Sequence, residues 1–214
     1  LKQEGISYIA GSERPCVIIN VMRGGPGLGS IQASQGDYFQ ATKGGGHGDY
    51  RMIVLAPASV QEAIDLMGDA FDLADKYRNP AMLLADGIIG QMMEPVELPE
   101  MKEYVVDPEK KPWAANGWKP GDKKPRAVVN SLYITTEELT ELNERLQARY
   151  AEIEKNEVRY EAYNLEGAEL VVTAYGTIAR ICKSAIDELK QEGINVGLIR
   201  PITLWPFPKD AVRE

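Results

Sequence analysis

Cysteine and histidine are almost absent from these 214 residues, which hold two of the first and one of the second. Cys16 and Cys182 stand far apart inside apolar stretches, which excludes a disulfide framework or a cysteine metal motif and predicts buried thiols in a reducing compartment. A lone His47 excludes a multi-histidine metal centre within the chain. Long apolar runs are missing as well. Nothing approaches the roughly 20 apolar residues of a membrane-spanning helix and no signal peptide is visible, so a cytoplasmic protein with no membrane partner is expected. Positive charge is in deficit: 24 Lys and Arg against 32 Asp and Glu leave a formal charge of −8, which argues against nucleic acid as the main partner. What remains is 44% apolar, enough for one large domain or two small ones.

Cys16-Val17-Ile18-Ile19-Asn20-Val21 is a β-branched block with little alternation, the pattern of a strand buried on both faces in a parallel sheet. Arg51-Met52-Ile53-Val54-Leu55 and Ala81-Met82-Leu83-Leu84-Ala85 repeat it. Between these two, Ser59 and Glu62 form a capping box, and Val60, Ala63, Ile64, Met67, Phe71, Ala74 and Tyr77 recur at helical spacing until Asn79-Pro80 ends the helix. The spacing predicts a βαβ unit. Residues 92–126 are rich in proline and charge with no sustained period, an irregular excursion. Its Trp113, Trp118 and paired lysines suit packing on a partner subunit or across a domain boundary better than nucleic acid. A second capping box, Thr135 with Glu138, opens a helix whose stripe is Leu139, Leu142, Leu146, Tyr150 and Ile153. It is too short for a long coiled coil and is expected along a surface or against another subunit. From Ala168 the pattern returns: a strand at 170–174, a helix over 178–190 with Ile181, Ala185, Ile186 and Leu189 inward, and a strand at 196–199. That is too little for an independent three-layer domain, so this piece is expected to be incomplete.

Two glycine loops carry most of the chemistry. Val21-Met22-Arg23-Gly24-Gly25-Pro26-Gly27-Leu28-Gly29-Ser30 leaves the C-terminal end of a predicted buried strand, where open α/β sheets place ligands. Its glycines let backbone N–H groups approach a ligand, and the planar fork of Arg23 suits a carboxylate or phosphate. Gly-x-Gly-x-x-Gly fails because position 30 is Ser, and no Gly-Lys-Ser/Thr follows. Two readings stand, a ligand-reading cation or a tight turn with an exposed arginine. The second loop, Lys43-Gly44-Gly45-Gly46-His47-Gly48-Asp49, offers His47 either as an acid–base or cofactor-contacting group or as an ordinary exposed residue. Gln35 and Asp37 lie between the loops. Asp86 ends a strand and reads at least as well as a helix cap as a site carboxylate, and Met92 and Met93 read as core filler.

Taken in order, the two loops with Tyr50-Arg51, Val54-Leu55-Ala56-Pro57, Ala74-Asp75-Lys76-Tyr77-Arg78-Asn79-Pro80, Ala174-Tyr175-Gly176-Thr177 and Arg200-Pro201-Ile202-Thr203-Leu204-Trp205-Pro206-Phe207-Pro208 resemble the α subunits of 2-oxoacid:ferredoxin oxidoreductases over nearly the whole chain. The Gly-Gly-Gly-His-Gly and Gly-Pro-Gly-Leu-Gly forms are most similar to the branched-chain, 2-ketoisovalerate members. The resemblance implies an α/β fold: a three-layer parallel-sheet thiamine-diphosphate-binding domain of the pyrimidine type over 1–99, its N-terminal part missing. An irregular linker and long helix over 100–166 and an incomplete transketolase-C-terminal-like domain over 167–214 would follow. It implies oxidative decarboxylation of branched-chain 2-oxoacids to acyl-CoA and CO2, with coenzyme A as acceptor and ferredoxin reduced. The resemblance implies thiamine diphosphate with Mg2+ shared with a partner subunit and [4Fe–4S] clusters on partner subunits only; the count of two cysteines, too few for a four-cysteine cluster, agrees with this.

Residue by residue, Arg23 matches the family arginine that reads the substrate carboxylate, Gly24, Gly25 and Gly27 would shape its loop, and Asp37 and His47 are implied as site neighbours. No catalytic residue and no metal ligand is expected in this chain. The family's Tyr-Pro-Ile-Thr-Pro segment and its cofactor-activating glutamate have no counterpart here, and Leu1-Lys2-Gln3-Glu4-Gly5 opens in mid-pattern, so the chain is expected to be a fragment, inactive alone. The rival enzyme reading is a 2-oxoglutarate-specific α subunit, which would need a further cation. Outside enzymes stand a non-catalytic assembly scaffold and a nucleotide-binding module, the latter weakened by both failed phosphate patterns.

Overall fold

In chain order the elements are α1 (Lys2–Gly11), β1 (Cys16–Met22), α2 (Tyr38–Lys43), β2 (Ile53–Leu55), α3 (Val60–Tyr77), β3 (Pro80–Asp86), α4 (Thr136–Asn156), β4 (Tyr160–Tyr163), β5 (Leu170–Thr173), α5 (Gly176–Gln191), β6 (Val196–Pro201), β7 (Thr203–Trp205) and α6 (Lys209–Arg213). The computed structural model describes residues 2–101, 109–115 and 117–213. The expected excursion is therefore described only in part.

β1, β3 and β2 run parallel in that spatial order, and β7 closes the sheet antiparallel to β2. Every residue of β2 and β3 is buried. Successive strand side chains point to opposite faces, so both faces of these two strands are covered, the condition for a three-layer α/β domain. The covering residues come from α1 (Ile6, Ala10), α3 (Leu66, Ala70, Leu73, Ala74, Tyr77) and α4 (Leu142, Leu146, Tyr150, Ile153), all in one apolar core. The α4 stripe thus packs on the chain's own sheet, with Tyr150 edge-on to Trp205 of β7 at 5.6 Å. A second sheet, β4-β6-β5, pairs β5 parallel and β4 antiparallel to β6. β4 lies within the stretch expected as linker and long helix, yet pairs in this second sheet. After β6 the chain crosses back, and Ala56 N donates to Ile202 O at 2.8 Å before β7 joins β2. The residues after β4 therefore contribute β5 and β6 to the second sheet and β7 to the first.

Several expectations are corrected. β1 is an edge strand, not one buried on both faces: Ile19 and Val21 are 60% and 49% exposed, because only β3 pairs with it among the described residues. Both cysteines are half-buried rather than buried. Ile181 and Ala185 of α5 are exposed, since the narrow second sheet covers only the face carrying Ala179 and Ile186. Leu139, Phe71 and Met93 are also exposed.

The two helix caps differ. At α4, Thr135 Oγ1 accepts from Glu138 N and the Glu138 carboxylate accepts from Thr135 N, a complete capping box. At α3, Ser59 Oγ accepts from Glu62 N at 3.1 Å, but the Glu62 carboxylate turns away. It accepts from Ala58 N at 2.6 Å and takes a two-pronged pair from Arg200 of β6 at 2.7 and 2.6 Å. Desolvation works against the charge on Glu62, yet Arg200 and the Ala58 N–H together hold its carboxyl below the ordinary range. A capping residue has become a tie between the two sheets.

Candidate functional site

Register places the site. β1 and β3 are parallel with Met22 opposite Asp86, so Arg23 and Gly87 leave the sheet side by side at its C-terminal edge. The loop after Met22 folds back on itself. Gly24 N donates to Gln32 O at 2.9 Å, Ser30 N to Gly24 O at 2.8 Å and Gly29 N to Pro26 O at 3.0 Å, while Arg23 bridges antiparallel to Ala33. The fold-back decides which glycines are indispensable. A Cβ on Gly29 would stand 1.6 Å from Gly24 O at a φ of +53°, one on Gly24 would meet Ser30 Oγ at 2.9 Å, and Gly27 has a φ of +62°. At Gly25 a Cβ would meet nothing within 4 Å. Of the expected loop-shaping set, Gly24 meets Ser30 and Gly27 has a positive φ, whereas Gly25 has open space around it, and Gly29 is the most constrained of the loop.

Arg23 itself is exposed. Its Nη1 donates to the Leu28 carbonyl, which fixes the side chain against its own loop. Among the described residues it makes no ion pair, so the remaining donors of the fork are available to an anion.

Beside this loop the second sheet delivers a turn. Asp86, 4% exposed, accepts from Ile88 N and Ile89 N through Oδ1 at 3.1 and 3.2 Å, from Thr177 Oγ1 at 2.8 Å, and through Oδ2 from Thr177 N at 3.0 Å. Asp86 is thus a cap, but for α5, 91 residues downstream, as well as for its own turn. Gln35 Nε2 donates to Tyr175 O at 2.9 Å, and Gly176, at a φ of +61°, has no room for a side chain between Gln35 and Asp86. Tyr175 lies against Tyr38, with ring centroids 5.9 Å apart. Burial first, then Tyr38, Asp86 and Asp37, push its phenol well above the ordinary range, and its buried hydroxyl oxygen has no hydrogen-bond partner among the described residues. Asp37 is tied to the same edge, accepting from Asn20 Nδ2 of β1 at 3.1 Å.

His47 lies elsewhere. It is exposed and lines a cavity of about 270 Å3 with Glu4, Tyr8, Leu142 and Asn143, between α1 and α4. The structure therefore places Gln35, Asp37, Asp86 and Tyr175 beside the strand and loop that carry Arg23, and His47 in the separate cavity. Sequence reasoning passed over Tyr175 and Gly29, and only the Ala174-Tyr175-Gly176-Thr177 motif signalled the first. Among the described residues no three His, Cys, Asp or Glu side chains converge on a metal position, and no helix is long and apolar enough to cross a membrane.

Comparison with known proteins yields a consistent set of matches. The family described as "Pyruvate flavodoxin/ferredoxin oxidoreductase, thiamine diP-bdg" matches residues 1–162, and that described as "Pyruvate:ferredoxin oxidoreductase core domain II" matches residues 168–214. The chain is 54% identical to the ketoisovalerate oxidoreductase subunit VorB of Methanothermobacter thermautotrophicus, over 100% of this chain and 59% of that protein. It is 38% identical to the 2-oxoglutarate synthase subunit KorA of Methanocaldococcus jannaschii, over 100% of this chain and 63% of that one. It thus spans about three-fifths of the length of the curated relatives it matches. In structure it superposes on a 2-oxoglutarate:ferredoxin oxidoreductase from Magnetococcus marinus, solved with 2-oxoglutarate, coenzyme A and succinyl-CoA bound, with a TM-score of 0.76 at 23% identity. That match covers 96% of this chain and 40% of the other.

Proposed function

This chain belongs to the pyruvate flavodoxin/ferredoxin oxidoreductase family, and from that membership we propose that it works as the α subunit of a ketoisovalerate-type 2-oxoacid:ferredoxin oxidoreductase. The observation that carries the reading is Arg23, a guanidinium with no acidic partner among the described residues, braced by a fold-back loop at the C-terminal sheet edge. A two-pronged grip on the acid end would hold the 2-oxo carbon in one place while the rest of the substrate is selected. Gly24, Gly27 and Gly29 keep the loop in the shape that presents it.

The side chains assembled at that edge favour a branched-chain substrate over 2-oxoglutarate. Asp37 is a half-buried carboxylate, and Tyr38 and Tyr175 are phenols. A second substrate carboxylate would meet like charge there, whereas an apolar side chain would meet ring faces. Asp37 therefore serves in this reading as a discriminating neighbour, and His47 as a residue of the separate α1–α4 cavity.

Thiamine diphosphate, when bound, supplies the carbon that attacks the 2-oxo group and accepts the electron pair left by CO2. The chain's residues fit a share of such a site. The Tyr38–Tyr175 pair, with its buried unpartnered hydroxyl, offers an aromatic wall with a polar tip to a heteroaromatic ring. In this reading the diphosphate with its Mg2+ belongs to a partner subunit, as do the [4Fe–4S] clusters. Coenzyme A, ferredoxin and a cytoplasmic setting complete the proposal.

The test is coenzyme-A-dependent viologen reduction by the assembled complex with 2-ketoisovalerate, 2-oxoglutarate and pyruvate. The expected kcat/KM is highest for 2-ketoisovalerate, by about tenfold or more over 2-oxoglutarate. A preference for 2-oxoglutarate would overturn the branched-chain reading, and a complex equally active without this subunit would make it a scaffold.

A further inference from the structure

At the opposite edge of the first sheet, where β1 and β3 begin, arginines outnumber the acids that could neutralise them. A cavity of about 390 Å3 opens there between the end of α3 and the side of α4, walled by Lys76, Arg78, Arg145 and Arg149, with Glu152 the single carboxylate among its lining residues. The pairing around it is unequal. Arg145 and Arg149 share one acid, Glu13, and Lys76 is taken by Glu157. Arg78 ion-pairs with no described residue, and its Nε is buried without a hydrogen-bond partner. Its Cζ lies 5.2 Å from the centre of the Trp113 ring, which also carries Arg14 at 5.3 Å. Burial first, against the pull of Glu13 and with Arg149, Arg14 and Arg145 adding to it, lowers the proton affinity of Arg78. An arginine keeps its charge nonetheless, so the crowding is unrelieved.

The backbone makes the same point independently. Arg78 is the C-terminal cap of α3, at φ 47° and ψ 49°, in the left-handed region. Glycine is the ordinary occupant of such a cap because it has no Cβ to crowd the carbonyl. An arginine held there sets a guanidinium at the mouth of the cavity at a steric cost, and strain of this kind clusters at binding positions.

We propose that the Arg78–Arg145–Arg149 cavity binds the phosphate group of a small molecule. Guanidinium forks match phosphate oxygens two at a time, and an anion seated among them would meet the free donors of Arg78 and relieve the repulsion between the three side chains. The cavity has room for more than one phosphate, so the ligand class proposed is a pyrophosphate or a nucleotide phosphate. β1 spans seven residues, which separates this site from Arg23 by roughly 20 Å. It is a second ligand site and does not depend on the assignment of the first.

Calorimetric titration of the chain with inorganic phosphate, pyrophosphate and ADP, against sodium chloride at matched ionic strength, tests it. Saturable binding of pyrophosphate or ADP with none of chloride is expected, and the tighter of the two tells a free pyrophosphate from a nucleotide. Arg78→Gly suits the backbone of the cap, and Arg14 Nη1 still holds the Trp113 carbonyl at 2.7 Å, so this variant should fold as well as the parent. It should bind the anion about tenfold or more weakly, the loss of one charge-assisted contact. Arg145→Gln should weaken binding less, because that side chain is 51% exposed. Heat equal to that of chloride, or variants that bind pyrophosphate as tightly as the parent, would overturn the proposal.

Discussion

Lysine at position 23 would keep the charge and remove the fork. With 2-ketoisovalerate as substrate, Arg23→Lys should raise KM and lower kcat/KM by roughly tenfold to a hundredfold, and Arg23→Ala should do more, since a lost charge-assisted pair is worth about 1.5–3 kcal/mol. Steady-state kinetics on the assembled complex reads this directly, and unchanged kinetics for both variants would remove Arg23 from the site. Gly29→Ala should cost as much as Arg23→Ala without touching the guanidinium, because its Cβ would overlap Gly24 O at 1.6 Å and break the fold-back. Gly25→Ala, with nothing within 4 Å, should leave the kinetics nearly unaltered. The difference between these two glycines is where sequence reading stopped. Their spacing marks a ligand loop and its arginine, but which glycine faces a carbonyl depends on the Gly24–Gln32 and Ser30–Gly24 bonds, which no local pattern encodes.

At the scale of elements, the carboxylate of Asp86 joins one strand to a helix of the other sheet. Asp86→Asn replaces one accepting oxygen with an NH2 that must face N–H donors. With the NH2 turned to the Oδ2 side, the contact with Thr177 N should fail at a cost of about 1–3 kcal/mol, read as a lower urea midpoint. An unchanged midpoint would mean that α5 is held by its apolar face alone. Strong local signals predicted the elements well: the Ser59 cap and apolar stripe gave α3, and the Thr135–Glu138 box gave α4. The misses have a common cause. A run such as 16–21 is apolar whether its strand is central or at an edge, and the periodicity of 178–190 cannot say how much of the helix a narrow sheet will cover. β4 and β7 are four and three residues long, too short for a period, and β7 is specified by its pairing with β2 across 150 residues of chain.

Across the whole molecule several ion pairs tie the second sheet and its helix to the first. Arg200 reaches from β6 to Glu62 on α3, Arg180 from α5 to Glu94, and Arg159 to Asp69, with Lys76 and Tyr77 meeting Glu157 between α3 and β4. Burial alone would raise Glu62 and Glu157, but their basic and hydrogen-bonding partners hold both carboxyls below the ordinary 4.5. A depressed folded-state value means that the unfolded chain binds the proton first as pH falls. The stability these pairs provide is therefore complete above the ordinary carboxylate range and drains away as pH drops from about 4.5 through the lowered folded values. The docking of β4, β5 and β6 should loosen in that window before the buried β2–β3 core does, seen by hydrogen exchange as earlier loss of protection in 160–201 than in 53–55 and 80–86. Glu62→Gln should be less stable at neutral pH and show a shallower fall between pH 5 and 3, because one titrating tie has gone. Salt separates the contributions further. The Arg200 side chain is 6% exposed and Glu62 23%, so that pair is poorly screened, whereas Lys76 is 56% exposed. Molar sodium chloride at pH 7 should thus leave the Glu62→Gln difference nearly intact and reduce that of Lys76→Gln. If salt abolished both equally, the tie between the sheets would be a surface effect, and the Tyr175 turn would have to be held by Asp86, Gln35 and Tyr38 without it.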